Sequence, residues 1–307
     1  MRRPVSIALY ASLSLIALGS AAVGRAAIMY ASADDSDEIY TIDLATGQAT
    51  LVGISVENMS FSGLAYDSST GTMFVSDVYD PACTTFAGSA GDANAGGEIL
   101  GGSCFGLGTV DLSTGAVTYI GTGHNITSDI QGLAYDSAND VLYGADSDNG
   151  SLDVIDRTTG EATIVGLWGA VDASIRALAY DAASDTLFGA SVGNLYRLDR
   201  TTGAATLVGP LGIGAPDTEA RGLEIDPDTG MLYLGVVGDS SFYRVDKATG
   251  AATLIGVSNI GIFGLGAVPT GAPAVAIPTL SPVGVGALML LLGALAAWQI
   301  ARRRTAA

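Results

Sequence analysis

Apolar residues fall along this chain in three ways, and each predicts a different kind of element. Val5–Leu18 is a continuous apolar stretch behind Arg2 and Arg3, and Val283–Ile300 is another ahead of Arg302, Arg303 and Arg304. Between them the apolar residues come in short runs, bounded by Gly, Asp and Thr, that recur along the chain. Short runs closed at both ends by turn residues predict strands rather than helices.

The middle of the chain repeats. The pattern D-x-x-T-G-x-x-T-x-[VI]-G begins at Asp43, Asp111, Asp156, Asp199 and Asp246 and closes at Gly53, Gly121, Gly166, Gly209 and Gly256. A second motif, GLAYD or a close variant, ends at Asp67, Asp136, Asp181 and Asp226. A third is a short LYG-type strand at Met73-Phe74, Leu142–Gly144, Leu187–Gly189 and Leu232-Tyr233. Each unit thus holds four strand candidates, in the order GLAYD, TLYGA, LYRLD, ATLVG. The last two are joined by a turn whose Asp accepts from nearby amides and whose Gly supplies a positive φ. Four short antiparallel strands in a period of about 45 residues predict a propeller blade, with a solenoid as the competing architecture.

The ends of the array predict how the ring closes. Ile28–Ser32 matches a second strand, Ile39–Ile42 a third and Gln48–Val52 a fourth, while the missing first strand recurs at Ile262–Ala267. Four complete blades and one shared between the two ends make an all-β, five-bladed β-propeller over residues 27–267, with no open edge at the junction. The blade signature resembles the YVTN/NHL-like group of bacterial propellers. That group includes binding scaffolds, lyases and oxidoreductases, so the resemblance implies a fold and leaves the activity open.

The two flanking segments carry an address. A basic n-region, an apolar core and small residues around Ser20–Ala22 or Gly24–Ala26 predict a signal peptide over residues 1–26, with an uncleaved anchor as the alternative. Residues 268–276 are a Pro/Gly/Ala linker, and residues 277–307 begin with Ile277-Pro278-Thr279-Leu280. The apolar run that follows is long enough for a short transmembrane helix, and the three terminal arginines hold their end in the cytoplasm. The order of motif, membrane helix and basic cluster resembles the IPTL-CTERM sorting tail. The resemblance implies export, transient anchoring and processing near the motif by an exosortase-type enzyme; the arginines place the domain on the periplasmic side of the inner membrane, with processing to the outer surface as the alternative end point.

Charge narrows the partners. All 31 acidic residues lie between Asp34 and Asp246, and residues 27–276 hold seven basic ones, a net charge of −24. Such a domain does not suit nucleic acid or anionic lipid. Asp34, Asp35 and Asp37, and Asp146 and Asp148, cluster in loops between second and third strands. Closely spaced oxygens of this kind suit either plain solvation or a hard cation such as Ca²⁺, although no bidentate Glu completes the set. Cys83 and Cys104 share the Gly-rich insertion 80–105, which interrupts the repeat between the first two turn motifs, and in an exported protein such a pair predicts a disulfide. In the chain-entropy model that bridge contributes about 3 kcal/mol.

Arg176 and Arg221 stand just ahead of the first-strand motif, where other copies have Ser62 and Gln131. They are candidates for an axial channel that takes an anionic ligand, or else for pairing with local acids. His124 is the only histidine, and no G-x-S-x-G, H-E-x-x-H or P-loop pattern accompanies it. The sequence therefore predicts an envelope-anchored binding or structural module without a catalytic constellation. A calcium-dependent adhesion or matrix module, and a hydrolase or lyase with its site at the propeller mouth, are the rival readings.

Overall fold

The computed structural model describes residues 26–33, 36–55, 61–79, 105–120, 130–169, 174–214 and 219–271. The signal segment, the cysteine pair, His124, Asp34, Asp35 and the whole tail from residue 272 lie outside these residues.

Twenty strands fill the described chain. The first three are β1 (Ile28–Ala33), β2 (Glu38–Ile42) and β3 (Ala49–Ile54). A second blade follows as β4 (Leu64–Asp67), β5 (Thr72–Tyr79), β6 (Phe105–Val110) and β7 (Val117–Tyr119). The third is β8 (Ile130–Asp136), β9 (Val141–Asp146), β10 (Ser151–Ile155) and β11 (Ala162–Leu167). The fourth is β12 (Ala177–Asp181), β13 (Thr186–Ala190), β14 (Asn194–Leu198) and β15 (Ala205–Pro210). The fifth is β16 (Glu219–Ile225), β17 (Leu232–Val237), β18 (Ser241–Val245) and β19 (Ala252–Val257), after which β20 (Ile262–Val268) returns to the start.

These strands form five four-stranded antiparallel sheets, and the first blade has the order β20-β1-β2-β3. Met29 lies opposite Ala267 and Ala31 opposite Leu265, so the predicted sharing of one blade between the two ends is what the chain does. Three further bonds tie the first blade to the fifth. Gln48 Nε2 donates to the Val257 carbonyl at 2.6 Å, the Ala49 amide to Asn259 Oδ1 at 3.0 Å, and the Ala27 amide to Asp226 Oδ1 at 3.3 Å.

The repeated turn has the predicted chemistry. Asp43 Oδ1 accepts from the amides of Ala45 (2.8 Å) and Thr46 (3.1 Å), and Gly47 closes the turn at φ 77°. The same pair of bonds recurs at Asp111, Asp156, Asp199 and Asp246. The closing glycine of the motif has a different purpose. A Cβ on Gly256 would overlap the carbonyl of Thr46 in the next blade's turn, and Gly166 and Gly209 stand in the same relation to Thr202 and Thr249. One sequence motif therefore supplies both halves of a blade-to-blade contact, its tail meeting the turn of the next copy.

First strands of neighbouring blades pack against one another around the axis, and the fourth strands form the rim. The core consists of five apolar clusters. Antiparallel alternation divides the connections between two faces. The short turns from first to second and from third to fourth strand lie where the first strands end, here called the hairpin face. The connections from second to third strand, and from one blade to the next, lie on the opposite loop face, which also receives both ends of the insertion after Tyr79. Both Ile28 and Val268, paired across β1 and β20, stand at the hairpin face.

Candidate functional site

The axis presents different chemistry at its two ends because equivalent positions of the five first strands carry different residues. At the loop face these positions are Ser62, Gln131, Arg176, Arg221 and Phe263. Arg221 Nη1 donates to Gln131 Oε1 at 2.6 Å, a bond between the fifth and third blades, and its guanidinium lies 4.7 Å from the Phe263 ring centroid. Both arginines reach Glu219: Arg176 through Nη1 at 2.8 Å, Arg221 through Nε at 2.7 Å and Nη2 at 2.6 Å. Burial would raise the Glu219 carboxyl, but the two guanidinium groups outweigh it and hold it below its ordinary value. The two candidates from the sequence are thus brought together at one mouth, and they share a single carboxylate.

At the hairpin face the first strands end in aspartates that latch one blade to the next. Asp67 is fully buried and pairs with Arg157, Asp136 with Arg200, and Asp181 with Lys247 at 2.7 Å. Arg157 and Arg200 each reach a second carboxylate, Asp140 and Asp185, at 2.6 Å, and lie 5.3 and 5.4 Å from the ring centroids of Tyr135 and Tyr180. Burial favours the protonated form of Asp67, yet hydrogen bonds from the hydroxyls and amides of Ser69 and Thr70 prevail and hold its pKa at about 2. Around the first blade the charged latch is replaced. Val268 stands where the others have Asp, Leu112 where they have Arg or Lys, and both pack in one apolar cluster.

Between these latches a cavity of about 170 Å³ opens on the hairpin face, lined by Tyr66, Tyr135, Tyr180, Ser68, Ser137 and Glu224 among others. Glu224 occupies the position held by Ala65, Ala134, Ala179 and Gly266 in the other first strands. Its Oε1 accepts from the Ile225 amide at 2.8 Å. Burial pushes the carboxyl up to about 8 and Asp226 adds to the rise, against the amides of Ile225 and Ala267, which favour the anion. Burial, together with the bond from its hydroxyl to Asp140, moves Tyr135 up to about 12, and burial also raises Tyr180, whose hydroxyl donates to Asp185.

The remaining predicted positions are more scattered. Asp146 is buried at the end of β9, and its carboxylate accepts from the Asp148 amide (3.0 Å), the Asn149 amide (2.9 Å) and Asn149 Nδ2 (2.6 Å). The Asp37 carbonyl accepts from the Ser55 amide. Among the described residues no three His, Cys, Asp or Glu side chains converge on one point. Asp34, Asp35, Cys83, Cys104, Ile277–Leu280 and Arg302–Arg304 lie outside the described residues. Glu224, Glu219 and the latch cations stand outside the positions that the sequence predicts for a site. The signals were present: GLEID in place of GLAYD, and Arg or Lys after the turn Asp in three of five copies.

Residues 275–304 match the family model of the IPTL-CTERM motif. The chain is therefore a five-bladed β-propeller followed by a sorting tail. No curated protein sequence matches it. Among solved structures, a chain of the nidogen/laminin complex is similar at 12% identity and a TM-score of 0.49, covering 79% of this chain and 98% of that one. A structural genomics protein of unknown function from Bacteroides thetaiotaomicron is similar at 13% identity and a TM-score of 0.46, covering 81% of this chain and 62% of that one.

Proposed function

We propose that this protein is an exported, envelope-anchored β-propeller that acts as a binding or structural module and presents its loop face away from the membrane. The observation that carries the reading is the exit of both chain ends at the hairpin face, with the residues matching the sorting motif only a short linker beyond β20. A tether attached there leaves the opposite face, with its longer connections and the cysteine-bearing insertion, directed outward. At the centre of that face two arginines meet one carboxylate, Glu219, an excess of one positive charge on an otherwise acidic domain. This supports Arg176 and Arg221 as contacts for an anionic group of the ligand.

The test is localisation with a marker on each face. Full-length protein is expected in the envelope fraction, and deletion of residues 277–304 is expected to release it. An epitope placed in the insertion at Gly96-Gly97 is expected to bind antibody on intact or outer-membrane-permeabilised cells, and one in the hairpin turn at Ser137-Ala138 to bind poorly. Release of the intact protein, or the reverse order of accessibility, would reject the reading.

A further inference from the structure

We propose that the hairpin-face cavity is a binding site for a small organic cation, an amine or quaternary ammonium group, held by Glu224 against the rings of Tyr66, Tyr135 and Tyr180. The repeat places a small residue at this first-strand level in every other blade, so Glu224 is a departure that the fold does not need. Among the described residues no Arg or Lys pairs with it: Arg157, Arg200 and Lys247 are committed to the latches, Arg176 and Arg221 to the other end of the axis. A half-buried carboxylate at the wall of a cavity, without a counter-charge, favours holding a proton or a cation. The rise of its pKa to about 8 expresses the same preference.

The walls supply the other half of the site. The hydroxyls of Tyr135 and Tyr180 are spent on Asp140 and Asp185, so these residues offer ring surface rather than free donors. Electron-rich rings beside a carboxylate form a cage for a cation of modest hydration. The same fold already uses this chemistry, with Arg157 and Arg200 lying over two of these rings. A volume of about 170 Å³ admits a single small molecule and not a polymer.

Binding should also displace the carboxyl proton. Glu224, raised to about 8, is the carboxyl whose proton a bound cation would displace near neutrality. Lys247 and Ser184 hold Asp181 below its ordinary value despite its burial, and burial raises the tyrosines. A cation prefers the ionised form of Glu224, so affinity increases as pH rises through about 8 and levels off above it.

The experiment is calorimetric titration of the full-length protein in non-ionic detergent with choline and ethanolamine, with glucose and acetate as neutral and anionic controls. One amine is expected to bind with 1:1 stoichiometry, at least about tenfold more tightly at pH 9 than at pH 6.5, with proton release that shows as a buffer-dependent heat near pH 7.5. Glu224→Gln and Glu224→Ala should each weaken it by about tenfold or more. The alanine variant restores the residue of three other blades, and its circular dichroism should match the parent. Absence of heat with both amines on the parent protein, binding of glucose instead, or equal affinity in both variants would overturn the proposal. Each outcome is independent of where the protein is anchored, so failure here leaves the envelope reading standing.

Discussion

Asp136 and Arg200 show how a single pair can join two blades. Asp136 is wholly buried and already accepts from two turn amides and Asn139 Nδ2, so removal of Arg200 strips away the counter-charge but leaves the turn bonds. Arg200→Ala is expected to lower stability by about 2 kcal/mol, less than loss of a partner from an otherwise bare buried pair. The double variant Asp136→Val/Arg200→Leu copies the apolar solution at Val268 and Leu112 and should lose less than the two single changes added together. Urea denaturation of the four proteins checks both. Glu224 carries a pH signature of its own. Its folded pKa of about 8 lies above the ordinary 4.5, so the parent is least penalised below pH 4.5 and loses stability as pH rises through 8. Glu224→Ala should therefore melt a few degrees above the parent at about pH 9, with the difference vanishing toward pH 4. Asp67 has the opposite sign. Its contribution is present above pH 3.8 and is lost as pH falls through about 2.

At the scale of the element, the strands were legible because their turns are local. The Asp and Gly of each D-x-x-T-G lie within one turn, and the predicted second, third and fourth strands of the first blade became β1, β2 and β3 within two residues at either end. The closing glycine was legible as a repeat but not as a contact, because its neighbour lies in another blade. Gly256→Ala would drive a Cβ into the Thr46 carbonyl at the junction of the fifth and first blades. The expected cost is about 2–3 kcal/mol, since neither backbone can withdraw without disturbing its sheet. The melting temperature of the variant, against Gly193→Ala, where nothing stands within 4 Å, provides the check.

For the molecule as a whole, closure is the property most exposed to test. β20 covers β1 along six paired positions, and its loss would bare a strand edge with Ile28–Ala33 unpaired on that side. Truncation after Gly261 is expected to convert the protein into oligomers or aggregates, visible by size-exclusion chromatography with light scattering. Removal of residues 277–307 alone should leave the ring intact by the same measure.

The sequence by itself determined the blade count, the sharing of one blade between the chain ends, and the sorting tail at residues 275–304, because each is written in local patterns or in repetition. Only the tertiary structure decided what faces the axis. Arg221 meets Gln131 from two blades away, Arg157 meets Asp67 across 90 residues of chain, and Glu224 finds itself among three tyrosines of other blades. These neighbours are set by the circular arrangement of five sheets, which brings equivalent positions together irrespective of their distance along the chain. A periodic sequence announces the ring, and the residues that break the period acquire their meaning only once the ring has closed.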